Sequence, residues 1–510
     1  MQKKLTASKL YDYIQCPHKV WRDIYGPQEE KIQESNPFVE LLWKKGIQHE
    51  ERVVAKLGEC LDLSGGTIDE RAERTMVALK NKTSLIYQGV LKYENMLGIP
   101  DLMKLMPDGS YMPIDIKSGS AFEDTEEESS DEGKPKLHYI VQLCLYNDLL
   151  KKLGYANHNN GKVIDIHYEE VEYNLMDQKG PRDKTTWWEN YERIKNEVGM
   201  LLSNTVKNKP ASSGKCKLCP WYESCNKWCK ETNDLTNLFY LGRSYRDRIN
   251  EDLIIENVDE LLNLDVEEIM EQKEREKKSG NNSFLYRIGK DSLIKLINRA
   301  NILEVTKKPV VYGVIDFPKV NYELFFDIED DPTQEFVYMH GIYERNLETE
   351  RYIHFTATEL SSEAEKIAWA EFWKYIDSLP KDDFAVYYYS HHEKTTYKRM
   401  QKLYPDVVTA ERVEEFFANP NVIDLYSIVR DKTDWPVGSY SLKTIATYLK
   451  FDWRDQTPSG ALSIQWFNDY LEKKDDNILK RILEYNEDDC KATMVIKDEI
   501  ENLSNKQNLI

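Results

Sequence analysis

Between residues 235 and 305 the chain loses every strand signal, and this gap limits what it can fold into more than any single motif does. On both sides of the gap, alternating apolar and polar runs mix with apolar residues at helical spacing, the pattern of α/β folding. Inside it, stretches such as Asn257-Val-Asp-Glu-Leu-Leu-Asn-Leu are Leu-rich and charged, which fits a small helical module. The chain therefore reads as two α/β cores with helices between them. Its 510 residues suit about three units at roughly 150 residues each. The boundaries fall at 1–232, 233–308 and 309–510.

In the first unit, strands are expected over 87–94, 98–106 and 111–117, with the turn Pro107-Asp108-Gly109 between the last two, forming a three-stranded meander. A helix follows over 137–150, then alternation over 162–173. In the last unit, strands are expected over 310–316, 321–328, 335–344 and 351–356. After these come a helix over 362–378, a strand over 384–389 and mostly helices to the end. The middle segment is either a plain helical spacer or a helix-hairpin-helix-like DNA clamp, with Ile288-Gly-Lys-Asp as its phosphate-facing turn.

The start of the chain has no apolar signal-peptide core, and no run approaches the 18 apolar residues of a membrane span, so a soluble cytoplasmic protein is expected. A formal charge of -20 argues against a generic nucleic-acid coat, because such binding rests on Lys and Arg. It leaves room for a nuclease, whose metal-binding acids add negative charge. Part of the excess lies in the run from Glu123 to Glu132, read as a solvated flexible loop. No Gly-x-x-x-x-Gly-Lys-Ser/Thr loop is present, so no ATP-driven motor is encoded in the chain.

Asp327 and Glu329 stand two apart on an expected strand and so share a face, as do Tyr485 and Asp489, four apart on an expected helix. Such acids suit two Mg2+ or Mn2+ ions, which stabilise both the attacking and the leaving oxygen of a phosphodiester displacement. Glu393, where a helix begins after the 384–389 strand, is the candidate third acid, and Asp424 a fourth or a substitute. Asp488 neighbours the preferred ligand but points about 100° away on a helix.

The N-terminal half holds a second set. Asp101 lies on the meander, and Asp115 and Lys117 share a strand face. Two carboxylates can hold a divalent ion while a lysine orients water and screens developing charge. His49 is a further candidate ligand, and Gln142 and Tyr146 lie four apart on the following helix. This ordered set resembles the motifs of the RecB-type PD-(D/E)xK nucleases, over roughly residues 1–232. The resemblance implies a restriction-endonuclease-like core cutting DNA with Mg2+ or Mn2+.

Eight cysteines cluster in a way that suggests metal rather than disulfides. Cys216, Cys219 and Cys225 have the spacing C-x2-C-x5-C, and Cys16 is the best fourth thiol. By chemistry and spacing alone, zinc and an iron-sulfur cluster both remain open. One early cysteine plus three after the nuclease core resembles the iron-sulfur nucleases related to AddB and to CRISPR-associated RecB-like exonucleases. That implies a [4Fe-4S] cluster in a mainly structural role. Cys229 is a possible substitute for Cys225, and Cys60, Cys144 and Cys490 read as small buried hydrophobes.

Residues 310–505 resemble the RNase H-like, DnaQ-type DEDD 3'-5' exonucleases of the tyrosine subtype, with Tyr485 orienting the attacking water. That family normally has Asp where this chain has Glu393, and the extra methylene could shift a metal. The whole order resembles nucleases that carry both domains on one chain, sometimes with a helicase fused or acting in trans. The expected function is metal-dependent hydrolysis of DNA, on single-stranded ends, in repair, recombination or defence. The alternatives are a nucleic-acid-binding scaffold with vestigial sites and an RNA-processing exonuclease centred on the C-terminal half.

Overall fold

The computed structural model describes residues 3–32, 36–123, 133–180, 183–206 and 208–507. The acidic run beyond Glu123 lies outside the described residues. The chain divides into two compact units, residues 1–210 with 214–224, and residues 211–213 with 225–510.

The first unit is built on a six-stranded sheet in the order Leu61–Asp62, Leu85–Tyr87, Leu102–Leu105, Tyr111–Ile116, Asn160–Ile164, Glu170–Asn174. The Tyr111–Ile116 strand pairs antiparallel with Leu102–Leu105 and parallel with Asn160–Ile164. It is buried along its whole length. The Leu137–Lys152 helix makes the crossover between those two parallel strands and supplies Ile140, Leu143, Leu145 and Leu149 to the core. A parallel pair needs such a crossover, and the covered strand reads as a near-continuous apolar run for that reason.

The expected meander is divided between two sheets. Leu91–Tyr93 and Met96–Gly98 form a hairpin that joins Leu5–Thr6 in a separate three-stranded sheet. The split comes where Gln88, at φ 55°, turns the chain out of the first strand. The alternation expected over 162–173 is likewise a hairpin of two strands, Asn160–Ile164 and Glu170–Asn174.

The second unit holds a five-stranded sheet in the order Glu350–Thr356, Phe336–Asn346, Tyr322–Asp331, Phe384–Tyr388, Val422–Asp424. The first three strands are an antiparallel meander; Phe384–Tyr388 pairs in parallel with the central Tyr322–Asp331 strand, and Val422–Asp424 in parallel with Phe384–Tyr388. This is the RNase H-like α/β layout. One face is covered by Ser362–Ser378, whose Trp369, Phe372, Trp373 and Ile376 pack into the core. The 32-residue Asp476–Gln507 helix lies near the central strand. The strand expected over 310–316 shrinks to Val310–Val311, paired with Thr433–Asp434 outside the main sheet.

The segment expected to be helical contains Arg243–Leu253, Val258–Leu261, Val266–Lys278 and Lys290–Asn301. It packs into the second unit. Arg299 Nε donates to Asp434 Oδ1 at 2.7 Å, and Arg299 Nη1 to the Phe239 carbonyl at 2.9 Å. The Phe239 ring also stacks on Tyr440.

Candidate active sites

The central strand of the second unit delivers Asp327 and Glu329 to one face because side chains alternate along a strand. A register shift between Glu329 and Asp330 bends the ladder at this point. Asp489 reaches the same place from the long C-terminal helix. Carboxylate oxygens of Asp327, Glu329 and Asp489 lie within 4.8 Å of one another. Three like charges so close cannot all ionise cheaply away from water. Burial, then Asp489 and Glu329, push the Asp327 carboxyl well above its ordinary value. Burial and then Asp489 push Glu329 up to about 8.

Asn486 bridges the strand pair. Its Nδ2 donates to Asp327 Oδ2 at 2.8 Å and more weakly to Glu329 Oε1 at 3.4 Å, while its Oδ1 accepts from the Tyr352 hydroxyl at 2.8 Å. Lys443 and Trp453 meet Asp489. Lys443 Nζ lies 3.0 and 3.1 Å from the two Asp489 oxygens and 2.8 Å from the Tyr485 hydroxyl, and Trp453 Nε1 donates to Asp489 Oδ1 at 2.7 Å. Burial, then Asp489, hold the Tyr485 phenol well above its ordinary pKa, so it stays protonated at neutral pH.

Glu393 stands in the first turn of His392–Leu403 and is buried. Its Oε2 has no hydrogen-bond partner among the described residues, and burial pushes its carboxyl up to about 8. Its charge is near enough to add to the shift of Asp327. Asp424 has a different task. It caps the Leu425–Lys432 helix, accepting from the Tyr426 and Ser427 amides and the Ser427 hydroxyl. Two of these bonds fall on Oδ1 and one on Oδ2. Asp488 is held by the Arg454 backbone N–H and Nε at 2.8 and 2.9 Å.

In the first unit, Asp115 lies near the end of the central strand and Lys117 immediately beyond it, with Lys117 Nζ 2.8 Å from Asp115 Oδ2. Asp101 Oδ2 accepts the backbone N–H of Ile116, the residue between them, at 2.7 Å. Burial and then Asp115 raise the Asp101 carboxyl well above its ordinary value. Burial works to lower Lys117, but Asp115 and Asp101 outweigh it and hold the ammonium charged. Tyr146 is buried and close enough for Asp115 and Asp101 to add to its upward shift, while Gln142, one turn earlier, is partly buried.

His49 is tied to the backbone. Its Nε2 lies 3.0 Å from the Asp165 carbonyl, the geometry of a ring donating there, and burial lowers its pKa. Such a bond leaves Nδ1 unprotonated and orients the ring, the usual support for a metal-ligating histidine. Its neighbour Glu50 is linked to Asp101. Gln88 Nε2 donates both to Glu50 Oε1 at 2.7 Å and to Asp101 Oδ1 at 3.1 Å.

Residues 5–226 match the model of the PD-(D/E)XK nuclease superfamily, and residues 324–501 match that of the RNase H superfamily. The chain carries a PD-(D/E)XK nuclease domain followed by an RNase H domain. No curated protein matches it. One solved structure, titled "Crystal structure of SSO0001", is 17% identical, with 44% of this chain and 87% of that chain covered, at a TM-score of 0.22. That likeness is too slight to bear on fold or function.

In the RNase H domain, sequence reasoning missed Asn486, Lys443 and Trp453. Asn486 had a signal, standing three residues before Asp489 and so on the same helix face. Lys443 and Trp453 had none, since each meets Asp489 only through tertiary packing. In the PD-(D/E)XK domain, Glu50 and Gln88 escaped for the same reason.

The PD-(D/E)XK domain also gathers thiols. Cys219 is pushed up by burial, and the Cys16 and Cys216 thiols lie near enough to add to the shift. Cys225 stands in the first turn of Tyr222–Glu231. Cys229, on the same helix, is buried, and burial followed by Asp234 pushes it up to about 11, a poor setting for a thiolate ligand. Cys144 and Cys490 are buried, whereas Cys60 is only partly so, contrary to its reading as a buried hydrophobe. Among the described residues, no helix is long and apolar enough to cross a membrane.

Proposed function

We propose that this protein is a divalent-metal-dependent nuclease with two active sites, hydrolysing phosphodiester bonds of DNA as an exonuclease on single-stranded ends. The observation that carries this reading is the convergence of Asp327, Glu329 and Asp489 oxygens within 4.8 Å, with the unpartnered Oε2 of the buried Glu393 close by. Hard carboxylate oxygens in this number suit Mg2+ or Mn2+. When bound, such ions stabilise the attacking and leaving oxygens of the displacement.

The chain's own groups do the rest. Asp327, Glu329, Glu393 and Asp489 would hold the ions, and Asn486 fixes the first two in register. Tyr485, a phenol at neutral pH, would orient the attacking water through a hydrogen bond rather than take its proton. In the PD-(D/E)XK domain, Asp101 and Asp115 would hold the metal, with His49 as a further ligand. The charged Lys117 would screen the phosphate rather than serve as a base, while Tyr146 and Gln142 would support the acids from the following helix. DNA repair, recombination or defence, with a helicase in trans, is the setting this reading favours.

Cys16, Cys216 and Cys219 would share one metal centre, a [4Fe-4S] cluster with zinc the alternative. The thiols of Cys16 and Cys216 beside Cys219 support a shared centre. Anaerobically purified protein is expected to be brown, with iron near one cluster per chain, and Cys16→Ser should lose the iron. Stoichiometric zinc would replace the iron assignment.

The deciding experiment is a cleavage panel of end-labelled single- and double-stranded DNA and RNA with Mn2+, run on the wild type, Lys117→Ala and Asp327→Asn. Each substitution is expected to remove one activity and spare the other. Cleavage unaffected by either would sink the two-site reading, and no cleavage at all would favour a scaffold.

A further inference from the structure

Through its ammonium, Lys443 touches two groups of the RNase H site at once, Tyr485 and Asp489. It stands on the short Leu442–Tyr448 helix, fixed by the Ser441 cap. Its Nζ lies 3.0 and 3.1 Å from both Asp489 oxygens and 2.8 Å from the Tyr485 hydroxyl. The ammonium also sits 4.7 Å from the Tyr485 ring centroid and 5.4 Å from that of Trp453. Trp453 donates to the same Asp489 carboxylate.

An ordinary surface ion pair has no need of this arrangement. Lys443 is partly exposed, with 31% of its side chain open to solvent, whereas its partner Asp489 is buried. Its position is what matters. Asp489 is the acid shared by the water-orienting tyrosine and the carboxylate triad, and Lys443 is paired with it while Asn486 is bonded to Asp327 and Glu329.

We propose that Lys443 is a positioning residue and a built-in counter-cation. It holds the Tyr485 hydroxyl beside Asp489, and it offsets one charge of the acid cluster, so that it weakens divalent-ion binding while aligning the site for turnover. This inference rests on the two-metal reading of the RNase H site. Removing the ammonium should therefore move metal affinity and turnover in opposite directions. Loss of a merely structural contact would lower both or neither.

The test uses the full-length chain carrying Asp101→Asn and Asp115→Asn, so that carboxylate-bound Mn2+ reports on the RNase H site. Mn2+ binding is followed by the electron paramagnetic resonance of the free ion, and hydrolysis with an end-labelled oligonucleotide. Lys443→Met is expected to bind Mn2+ at least about fivefold tighter, as loss of a neighbouring positive charge requires. Its turnover should fall at least about tenfold, with the far-ultraviolet circular dichroism of the folded protein unchanged. Lys443→Arg, which keeps the charge, should retain the parental Mn2+ affinity. Unchanged or weaker Mn2+ binding in Lys443→Met, in a parent whose binding is lost on Asp327→Asn, would overturn the inference alone. Mn2+ binding indifferent to Asp327→Asn would overturn the two-metal reading and the inference with it.

Discussion

Asn486 Oδ1 occupies the space a Cβ at Gly341 would need, only 1.6 Å from where that atom would be. Gly341 lies directly opposite Asp327 in the antiparallel ladder. The missing side chain therefore lets the helix bring an amide against the strand that carries the acids. A lone Gly inside a strand marks this kind of close approach.

Gly341→Ala should push Asn486 off both Asp327 and Glu329. Overpacking of this kind costs typically about 1–3 kcal/mol. An ångström of misplacement can cost on the order of a hundredfold in rate. We expect a lowered urea midpoint and loss of the Asp327-dependent cleavage, with the Lys117-dependent cleavage intact. Equal loss of both activities would show global unfolding instead.

Glu393 gives a pH signature. Its carboxyl is raised from 4.5 to about 8 by burial, so in the metal-free protein the folded state holds a proton that the unfolded state releases. For an acid whose folded value is raised, stability is present below the unfolded value and is lost as pH rises through the folded one. The loss approaches about 1.4 kcal/mol per pH unit between those limits. Glu393→Gln has the same volume and cannot ionise. In chelator, its unfolding free energy should therefore decline less than that of the wild type from pH 5 to 8, while RNase H-site cleavage with Mn2+ disappears. Parallel pH profiles for the two proteins would refute the assignment.

The Arg299–Asp434 pair ties the helical segment to the RNase H domain inside the second unit. Both partners are buried, and Asp434 also accepts from the Tyr312 and Tyr440 hydroxyls at 2.9 and 3.0 Å. Removing one partner of a buried pair costs about 3–5 kcal/mol because the other charge is left uncompensated. Arg299→Ala should accordingly expose 233–308 to limited proteolysis before the rest of the chain. Unchanged protease sensitivity would mean that the apolar contacts alone hold the segment.

Much of both sites was legible in the sequence, because the relevant geometry is local. Asp327 and Glu329 share a face through the two-residue period of a strand, and Tyr485 and Asp489 through the turn of a helix. The Ser362–Ser378 helix was equally legible, with a Ser cap and apolar residues at helical spacing. The meander was less so. Its strands alternate correctly, but alternation does not say which sheet a strand joins, and Leu91–Gly98 pairs away from its neighbours.

The sequence by itself determined the two α/β cores, the helical stretch between them and the order of the acids, since each depends on spacing along a few turns or strand residues. Tertiary structure alone decided how the acids are supported and neutralised. Asn486 reaches Asp327 because Gly341 leaves room, Lys443 meets Asp489 because a separate short helix begins there, Glu50 meets Asp101 through Gln88, and Asp424 caps a helix. Such contacts join residues far apart in the chain, where burial and close packing choose the partners and no local period records the choice.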